Sequence, residues 1–382
     1  MSVVRVWAHT SRTDVPLQLS PGTYSREALE GLDRVLFEAS RAGLRVILSL
    51  ADNWKAPGGV EEYLDWSRSV PKRDTTLPED DEGNVDLKKL DGATRVMPSR
   101  TKLARRHALF FADAECRDNF RGHIAAILGR RNSLTGARYA DEVMAVSLLN
   151  EPRCETWAEP RCNRWVHDWI AEMAAAVHDV APGVLVSVGG EGFFGPWDDQ
   201  ELQDANPGTW AAQTGQNFVA NAQETGVDFL EMHLWPSNWE APMPQSFAAD
   251  WIDAHVGAAR ELQLPIVLTE FGGHKDGGAR ANEAREETAR VFSRVYDLVE
   301  EHMAGGDGAP GVLAGTLFWR FETEALQDRE VGPYDTTAEH PAFAVAVEHA
   351  ARVRGVRGRL REGEPSGERA CWVPEAWVRE GA

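Results

Sequence analysis

The 382-residue sequence has no run of about 18 to 20 consecutive apolar residues, the length that a membrane-spanning helix needs. It also has no block rich in lysine or arginine, and its formal net charge is −20. A chain this acidic is not drawn to phosphate backbones or anionic lipids, so we expect neither nucleic acid nor a membrane as a partner. No secretion signal is recognisable before the first apolar run.

Cysteine is scarce, with four residues in the whole chain: Cys116, Cys154, Cys162 and Cys371. They form no Cys-x-x-Cys pair and no His-Glu-x-x-His string accompanies them, so we expect neither a metal nor an organic cofactor. Cys154 and Cys162 share one loop. Their spacing allows a disulfide in an oxidising compartment and equally allows free thiols.

Seven apolar runs of strand length alternate with amphipathic helical patterns. Strand–helix repeats of this kind predict an α/β fold with a parallel sheet covered by helices. A closed (β/α)8 TIM barrel has eight strands, so the first one is missing or atypical in this chain. The seven predicted strands are Val3–Trp7, Arg45–Leu50, Val143–Leu149, Val184–Val188, Val227–Met232, Ile266–Thr269 and Val312–Phe318.

Helix signals lie between these strands. Ser25 has the side chain of an N-cap, an apolar stripe from Leu29 to Ala39 follows it, and Gly43 suits the end of a helix. Apolar residues from Val291 to Val299 recur at helical spacing. Further helices are predicted over Asp118–Leu128, Asn163–His178 and Phe247–Leu262.

The pattern predicts one domain over residues 1–350. A charged stretch at about residues 67–100 interrupts it and is expected to be a long surface insertion. Residues 351–382 are rich in Arg, Glu and Gly and are expected to form a loosely attached tail.

Two strings carry the chemistry: Ser147–Pro152 (SLLNEP) and Ile266–Gly273 (IVLTEFGG). In each, a glutamate follows an apolar strand, where an unpaired buried charge costs several kcal/mol. Because the carboxyl ends of parallel strands meet at one mouth of a barrel, Glu151 and Glu270 are expected to converge there. Paired carboxylates across a sugar bond are the machinery of glycoside hydrolysis.

Further strings, in the same order along about residues 1–350, resemble the family 5 glycoside hydrolases and, among them, the plant and fungal endo-β-1,4-mannanases. The resemblance implies retaining endo-hydrolysis of β-1,4-mannosidic linkages in galactomannan or glucomannan, a (β/α)8 barrel and secretion from the cell. We also expect a monomer. The matching strings are Arg5–Ala8, Leu48–Leu50, Asn53-Trp54, Ser147–Arg153, Glu191–Gly195, Asp228-Phe229, His233–Pro236, Leu268–Gly272 and Leu317–Trp319.

The resemblance assigns the two catalytic roles. Glu151 matches the general acid/base, which protonates the leaving oxygen and then deprotonates water. Glu270 matches the nucleophile that forms a glycosyl ester. Arg5 is expected to hold Glu270 ionised and oriented, since a guanidinium can donate two hydrogen bonds to one carboxylate.

Other positions match residues that line the substrate groove. Asn150 resembles the family residue that bonds the sugar 2-hydroxyl, His233 the histidine beside the two glutamates, and Trp319 the platform under the sugar. Trp7, Asn53 and Trp235 complete the predicted substrate-binding set. Weaker candidates for groove contacts are Trp54, Glu191 and Trp239.

One departure concerns the nucleophile. The family has a tyrosine at the position of Trp235, and that hydroxyl bonds the nucleophile; an indole N–H donates but does not accept. We therefore expect altered tuning of Glu270. Two other functions stay open: an endo-β-1,4-glucanase of the same family, and a carbohydrate-binding pseudoenzyme without turnover.

Overall fold

The computed structural model describes residues 2–10, 15–54, 58–72, 93–242, 244–273, 281–303, 311–323 and 334–362. Nine strands form within these ranges. They are β1 (Val3–Trp7), β2 (Gln18–Ser20), β3 (Thr23–Tyr24), β4 (Arg45–Ser49), β5 (Ala145–Ser147), β6 (Leu185–Ser187), β7 (Leu230–Leu234), β8 (Ile266–Phe271) and β9 (Leu313–Thr316).

Eleven α-helices are assigned in the same ranges, with a short 3₁₀ turn at Ala211–Gln213. The helices are α1 (Arg26–Arg41), α2 (Val60–Trp66), α3 (Ala93–Ala112), α4 (Ala114–Gly129), α5 (Tyr139–Glu142), α6 (Cys162–Val180), α7 (Gln200–Gln203), α8 (Phe218–Ala222), α9 (Pro244–Leu262), α10 (Ala281–Met303) and α11 (Pro341–Glu362). None of the helices in the described ranges is both long and apolar enough to cross a membrane.

The chain divides into two compact units. The first comprises Ser2–Gln203 and Thr209–Asp228, and the second comprises Asp204–Gly208 and the described residues from Phe229 onward.

The first unit contains a four-stranded parallel sheet in the order β1-β4-β5-β6. Strand residues such as Ile47, Leu48 and Val146 are buried, and α1 begins at the predicted N-cap, where the Ser25 hydroxyl accepts from the Ala28 amide. Aromatic rings from α3, α4 and α6 pack together 5.1–5.9 Å apart; they belong to Phe110, Phe120 and Trp169. This aromatic layer places helices against a sheet whose carboxyl ends stay available for a site.

The second unit contains a three-stranded parallel sheet in the order β7-β8-β9. Phe271, at the end of β8, packs against α10 with ring centroids 4.9 Å from Phe292 and 5.4 Å from Tyr296. These contacts anchor the carboxyl end of the central strand.

All seven predicted strands are present, and the ranges described above hold no eighth parallel strand. Their ends differ from the prediction. The apolar run Val227–Met232 predicts a strand that stops before His233, whereas β7 runs to Leu234; β8 likewise includes Glu270 instead of ending at Thr269. Polar residues are buried at these strand ends, which hydropathy alone cannot show.

The structure describes part of the predicted insertion and part of the predicted tail, and the domain limits stay a prediction. Residues 93–100 of the predicted insertion belong to α3, while 73–92 lie outside the described residues. Helix α11 crosses the expected boundary at 351, because the Arg352 side chain donates to Glu300 on α10 at 2.9–3.0 Å. The rest of the predicted tail, residues 363–382, lies outside the described ranges.

Candidate active site

Three serines in register create space inside the first sheet. Ser49, Ser147 and Ser187 are neighbours across β4, β5 and β6, and each is fully buried. Arg5 on β1 fills that space: its Nε lies 3.4 Å from the Ser147 hydroxyl and its Nη2 lies 3.5 Å from that of Ser49. Short hydroxyl side chains thus accommodate a guanidinium that larger apolar residues would exclude.

Arg5 also orients Asn150. Its Nη2 donates to the Asn150 side-chain oxygen at 2.9 Å, and the Asn150 amide nitrogen donates to Asp52 at 3.0 Å. The two bonds fix the orientation of the Asn150 amide, with its oxygen towards Arg5 and its nitrogen towards Asp52. The amide nitrogen has a second hydrogen with which it can donate to a bound hydroxyl group.

Glu151 has a strained backbone, with a φ of 50°. A left-handed conformation at a residue other than glycine costs about 1–3 kcal/mol and is found where the surroundings impose it. The Glu151 amide donates to the carbonyl of Gly189 at 2.8 Å, and its carboxylate accepts from the Trp54 indole at 2.6 Å. Both backbone and carboxylate are therefore held.

A partly buried ion pair lies two residues beyond Glu151. The Arg153 Nε donates to Glu191 at 2.7 Å, and the Gln216 amide donates to the same carboxylate, which is fully buried. Burial would lower the pKa of Arg153, but the negative charges of Glu191 and Glu151 raise it above its ordinary value. Three aromatic rings surround the guanidinium, with centroids at 5.0, 5.5 and 5.3 Å: Trp54, Phe193 and Trp210.

Asn53 positions the loop that carries Glu151. Its side-chain oxygen accepts from the His107 ring at 2.9 Å and from the Arg153 amide at 3.0 Å, and the residue is buried. That oxygen is committed to protein donors, so a substrate contact by Asn53, which stays a prediction, falls to its nitrogen.

A disulfide ties the same loop to α6. Cys154 and Cys162 are bonded, which decides between the two alternatives that their spacing leaves open. The Cys154 amide also donates to the carbonyl of Thr214 at 2.6 Å. Cys116 is a free, buried thiol, and Cys371 lies outside the described residues.

In the second unit a β-bulge sets the position of Glu270. Met232 is paired with Leu268, but the next residue, His233, is paired with Glu270, so Thr269 is an extra residue on β8. The bulge brings a carboxylate oxygen of Glu270 to 3.6 Å from the His233 Nδ1, and both residues are buried. Bulges re-aim side chains in this way beside active sites.

Trp251 supports the histidine from α9. Its indole N–H donates to the His233 carbonyl at 2.9 Å, and Trp251 is fully buried. Trp239, a weaker sequence candidate for the groove, is also buried and packs 5.5 Å from the Trp251 ring. Trp239 is thus part of the packing behind His233.

Trp235 and Trp319 flank the end of β8. A Cβ added at Gly272 would lie 2.8 Å from the Trp235 ring and 2.4 Å from the Trp319 carbonyl oxygen, so only glycine fits. Trp235 is 7% exposed and packs edge-on against Tyr334, with ring centroids 5.3 Å apart. Its predicted substrate contact is therefore limited to a small edge of the indole.

Trp7 lies on β1, two residues from Arg5 and so on the same face of the strand. Its ring packs edge-on against His9, with centroids 4.2 Å apart, and it is partly exposed. The structure thus leaves part of the Trp7 ring accessible.

The predicted residues fall into two groups. Arg5, Trp7, Asn53, Asn150 and Glu151 belong to the first unit, and His233, Trp235, Glu270 and Trp319 to the second. The pairing of Glu270 with Glu151 or Arg5 joins residues of different units and stays a prediction.

Two features of the first group could not be predicted from the sequence. Arg153 directly follows the Asn-Glu-Pro string and Glu191 is a weaker candidate for a groove contact, but no sequence pattern predicts that the two form an ion pair. Trp210 lies in an irregular loop and no local pattern marks it.

Comparisons with known proteins find relatives that match most of the chain. A family model described as "GH family 5 beta-mannosidase-like" matches residues 2–330. The mannan endo-1,4-beta-mannosidase 2 of Oryza sativa subsp. japonica is 32% identical, over 94% of this chain and 74% of the relative. The mannan endo-1,4-beta-mannosidase 7 of Arabidopsis thaliana is also 32% identical, over 87% and 68%.

Solved structures show the fold. The endo-1,4-beta-mannanase from Rhizomucor miehei is similar with a TM-score of 0.69 at 21% identity, over 93% of this chain and 87% of that one. An endo-beta-1,4-mannanase from Thermotoga petrophila has the same TM-score at 23% identity, over 96% and 72%. The predicted α/β fold of the (β/α)8 class is confirmed.

Proposed function

The chain belongs to the family of GH family 5 beta-mannosidase-like proteins, and we propose that it is a retaining enzyme that cleaves β-1,4 linkages within mannan chains. One observation carries the proposal: the family match spans both strand-end glutamates, and each is held by a specific polar partner. Glu151 accepts from Trp54, and Glu270 lies beside His233.

The reaction needs two steps. In the first, the Glu270 carboxylate attacks the anomeric carbon and forms a glycosyl ester, while Glu151 gives its proton to the departing glycosidic oxygen. In the second, Glu151 takes a proton from water, whose oxygen attacks the same carbon and releases Glu270. Two inversions retain the configuration, and they require carboxyl groups about 5–5.5 Å apart.

Arg5 and Asn150 supply orientation in this mechanism. Because Arg5 fixes the side-chain oxygen of Asn150, the amide nitrogen is the end that faces a sugar hydroxyl. A bond from Asn150 to the 2-hydroxyl strengthens as positive charge develops on the sugar, and so favours the transition state.

The sugar specificity follows the relatives, whose names specify mannan. This favours mannan over a β-1,4-glucan, which differs at C2 of each sugar. The bonded pair Cys154–Cys162 supports a secreted protein, since such bonds persist in oxidising compartments. The net charge of −20 supports a monomer, because strong self-repulsion opposes association.

The test is release of reducing ends from soluble β-mannan, with β-glucan as the competing substrate. We expect release from mannan that Glu270→Ala abolishes. Preferred cleavage of glucan would assign the endoglucanase alternative. Sugar binding without release by the folded protein, unchanged in Glu270→Ala, would assign the pseudoenzyme alternative.

A further inference from the structure

Two partly exposed indole rings share one support in the first unit. Trp54 is 40% exposed and Trp210 is 37% exposed, although tryptophan is mostly buried in folded proteins. Arg153 lies against both, with its guanidinium carbon 5.0 Å and 5.3 Å from the two ring centroids. Such stacking on a planar cation fixes the rings while leaving surface open.

Buried residues hold Arg153 and Trp210 in place. Arg153 is bonded to the fully buried Glu191, and Phe193 packs edge-on against Trp210 with centroids 5.1 Å apart. A side chain held this way loses little conformational freedom when a ligand arrives. Trp210 is thus ready to bind before any ligand is present.

Trp54 connects the two exposed rings to Glu151, the proposed acid, because its indole donates to the Glu151 carboxylate at 2.6 Å. The proton of Glu151 goes to the oxygen of the leaving-group sugar, so that sugar lies against the neighbours of Glu151.

We propose that Trp210 is a sugar-binding residue on the leaving-group side of the cleaved bond, one position beyond the sugar that contacts Trp54. The inference rests on the proposed function and adds to it the direction in which the bound mannan chain runs. An indole face suits the apolar face of a pyranose ring, and Arg153 acts as the positioning residue beneath it.

The test compares two substrates in Trp210→Ala. Mannopentaose places sugars on the leaving-group side, whereas nitrophenyl β-mannobioside has only the nitrophenyl group there. We expect kcat/KM to fall roughly five- to tenfold on mannopentaose and to stay within about twofold on the aryl substrate. Trp210→Phe, which keeps a ring, should recover part of the loss.

Trp197→Ala is the matched control. Trp197 is 47% exposed in the same unit, and its ring packs against His167 instead. In this variant kcat/KM should equal that of the wild type on both substrates. Cleavage of mannopentaose in ¹⁸O-labelled water gives a second readout: the wild type should prefer bonds with at least two sugars on the leaving side, and Trp210→Ala should lose that preference.

Equal losses on both substrates, no loss on either, or no such preference in the wild type would each overturn the proposal. Failure of the proposed function looks different, since the wild type would then hydrolyse neither substrate, and the inference would fall with it. If Trp210→Ala does not fold, the wild-type cleavage pattern and Trp210→Phe still decide.

Discussion

Glu151 stores local strain that its neighbours impose. Its φ of 50° is unfavourable for a side chain with a Cβ, and the surrounding loop holds it through bonds to Gly189 and Trp54. A relaxed backbone would aim the carboxylate elsewhere. The strained residue is thus the one that the family resemblance predicts as the general acid/base.

The Trp54 bond to Glu151 gives a prediction at this scale. Trp54→Phe keeps an aromatic ring over Arg153 but removes the only N–H of the indole. A hydrogen bond to a charged group contributes about 1.5–3 kcal/mol, so we expect kcat/KM on mannan to fall by about tenfold or more.

Steady-state kinetics on nitrophenyl β-mannobioside and on mannan would measure the effect, with Trp197→Phe as the control at another exposed indole. Wild-type rates in Trp54→Phe on both substrates would show that this bond does not position the acid.

Residue identity along the chain was enough to find both glutamates, because each ends an apolar run. Their partners were harder to predict. Trp54 and Glu151 come from the ends of different strands, and the Arg153–Glu191 pair links two loops. Such contacts depend on strand register, which a single sequence does not display.

At the scale of the elements, close approach of backbones positions Glu151. Gly189, just beyond β6, has a φ of 87°, and a Cβ there would lie 2.4 Å from the carbonyl oxygen of Leu149. The strand that leads to Glu151 can therefore approach β6 only because residue 189 is glycine.

Gly189→Ala tests this approach, and Gly22→Ala is its matched control. Gly22 also has a positive φ, 74°, but an added Cβ would meet nothing within 4 Å. The control measures the cost of placing a side chain at positive φ without a clash, about 1–2 kcal/mol. We expect Gly189→Ala to lose at least about 2 kcal/mol of unfolding free energy, with a loss of activity.

Urea unfolding and mannan hydrolysis would be measured on both variants. Equal destabilisation by the two substitutions would mean that the backbone at Leu149 shifts at little cost. Close approach at Gly189 would then not position Glu151.

The elements were predictable to the extent that hydrophobic periodicity defines them. All seven strands were predicted, and so were five helices, α1, α4, α6, α9 and α10, since their apolar faces are regular; α3 and α11 were not predicted. The bulge at Thr269 was not, because it changes pairing without changing composition. The predicted ends of the strands at His233 and Glu270 were wrong because both side chains are polar and yet buried in the strands.

At the scale of the whole molecule, Asp33 joins α1 to the segment after α4. Burial would raise the pKa of Asp33, but hydrogen bonds from Arg130, Tyr139 and Ser133 overcome this and lower it to about 2. The folded state therefore prefers the ionised carboxylate more strongly than the unfolded chain does. Stability from this group is complete above the ordinary pKa of about 4 and is lost as the pH falls towards 2.

We predict that the unfolding free energy of the wild type exceeds that of Asp33→Asn at pH 7, and that the difference shrinks by about 2 kcal/mol between pH 5 and pH 2. Chemical denaturation at a series of pH values measures it. A difference that is constant over this range, or that grows on acidification, would show that Asp33 is not held ionised in the folded state.

A retaining mechanism with Glu270 as nucleophile requires a covalent glycosyl intermediate, and trapping that intermediate tests the mechanism most directly. The enzyme would be incubated with a 2-deoxy-2-fluoro-β-mannosyl fluoride, which slows the second step, and then digested and mapped by mass spectrometry. We predict one fluoromannosyl adduct, on the peptide that contains Glu270, and no adduct in Glu270→Ala. An adduct on another residue, or inverted product from mannan without any adduct, would contradict the account.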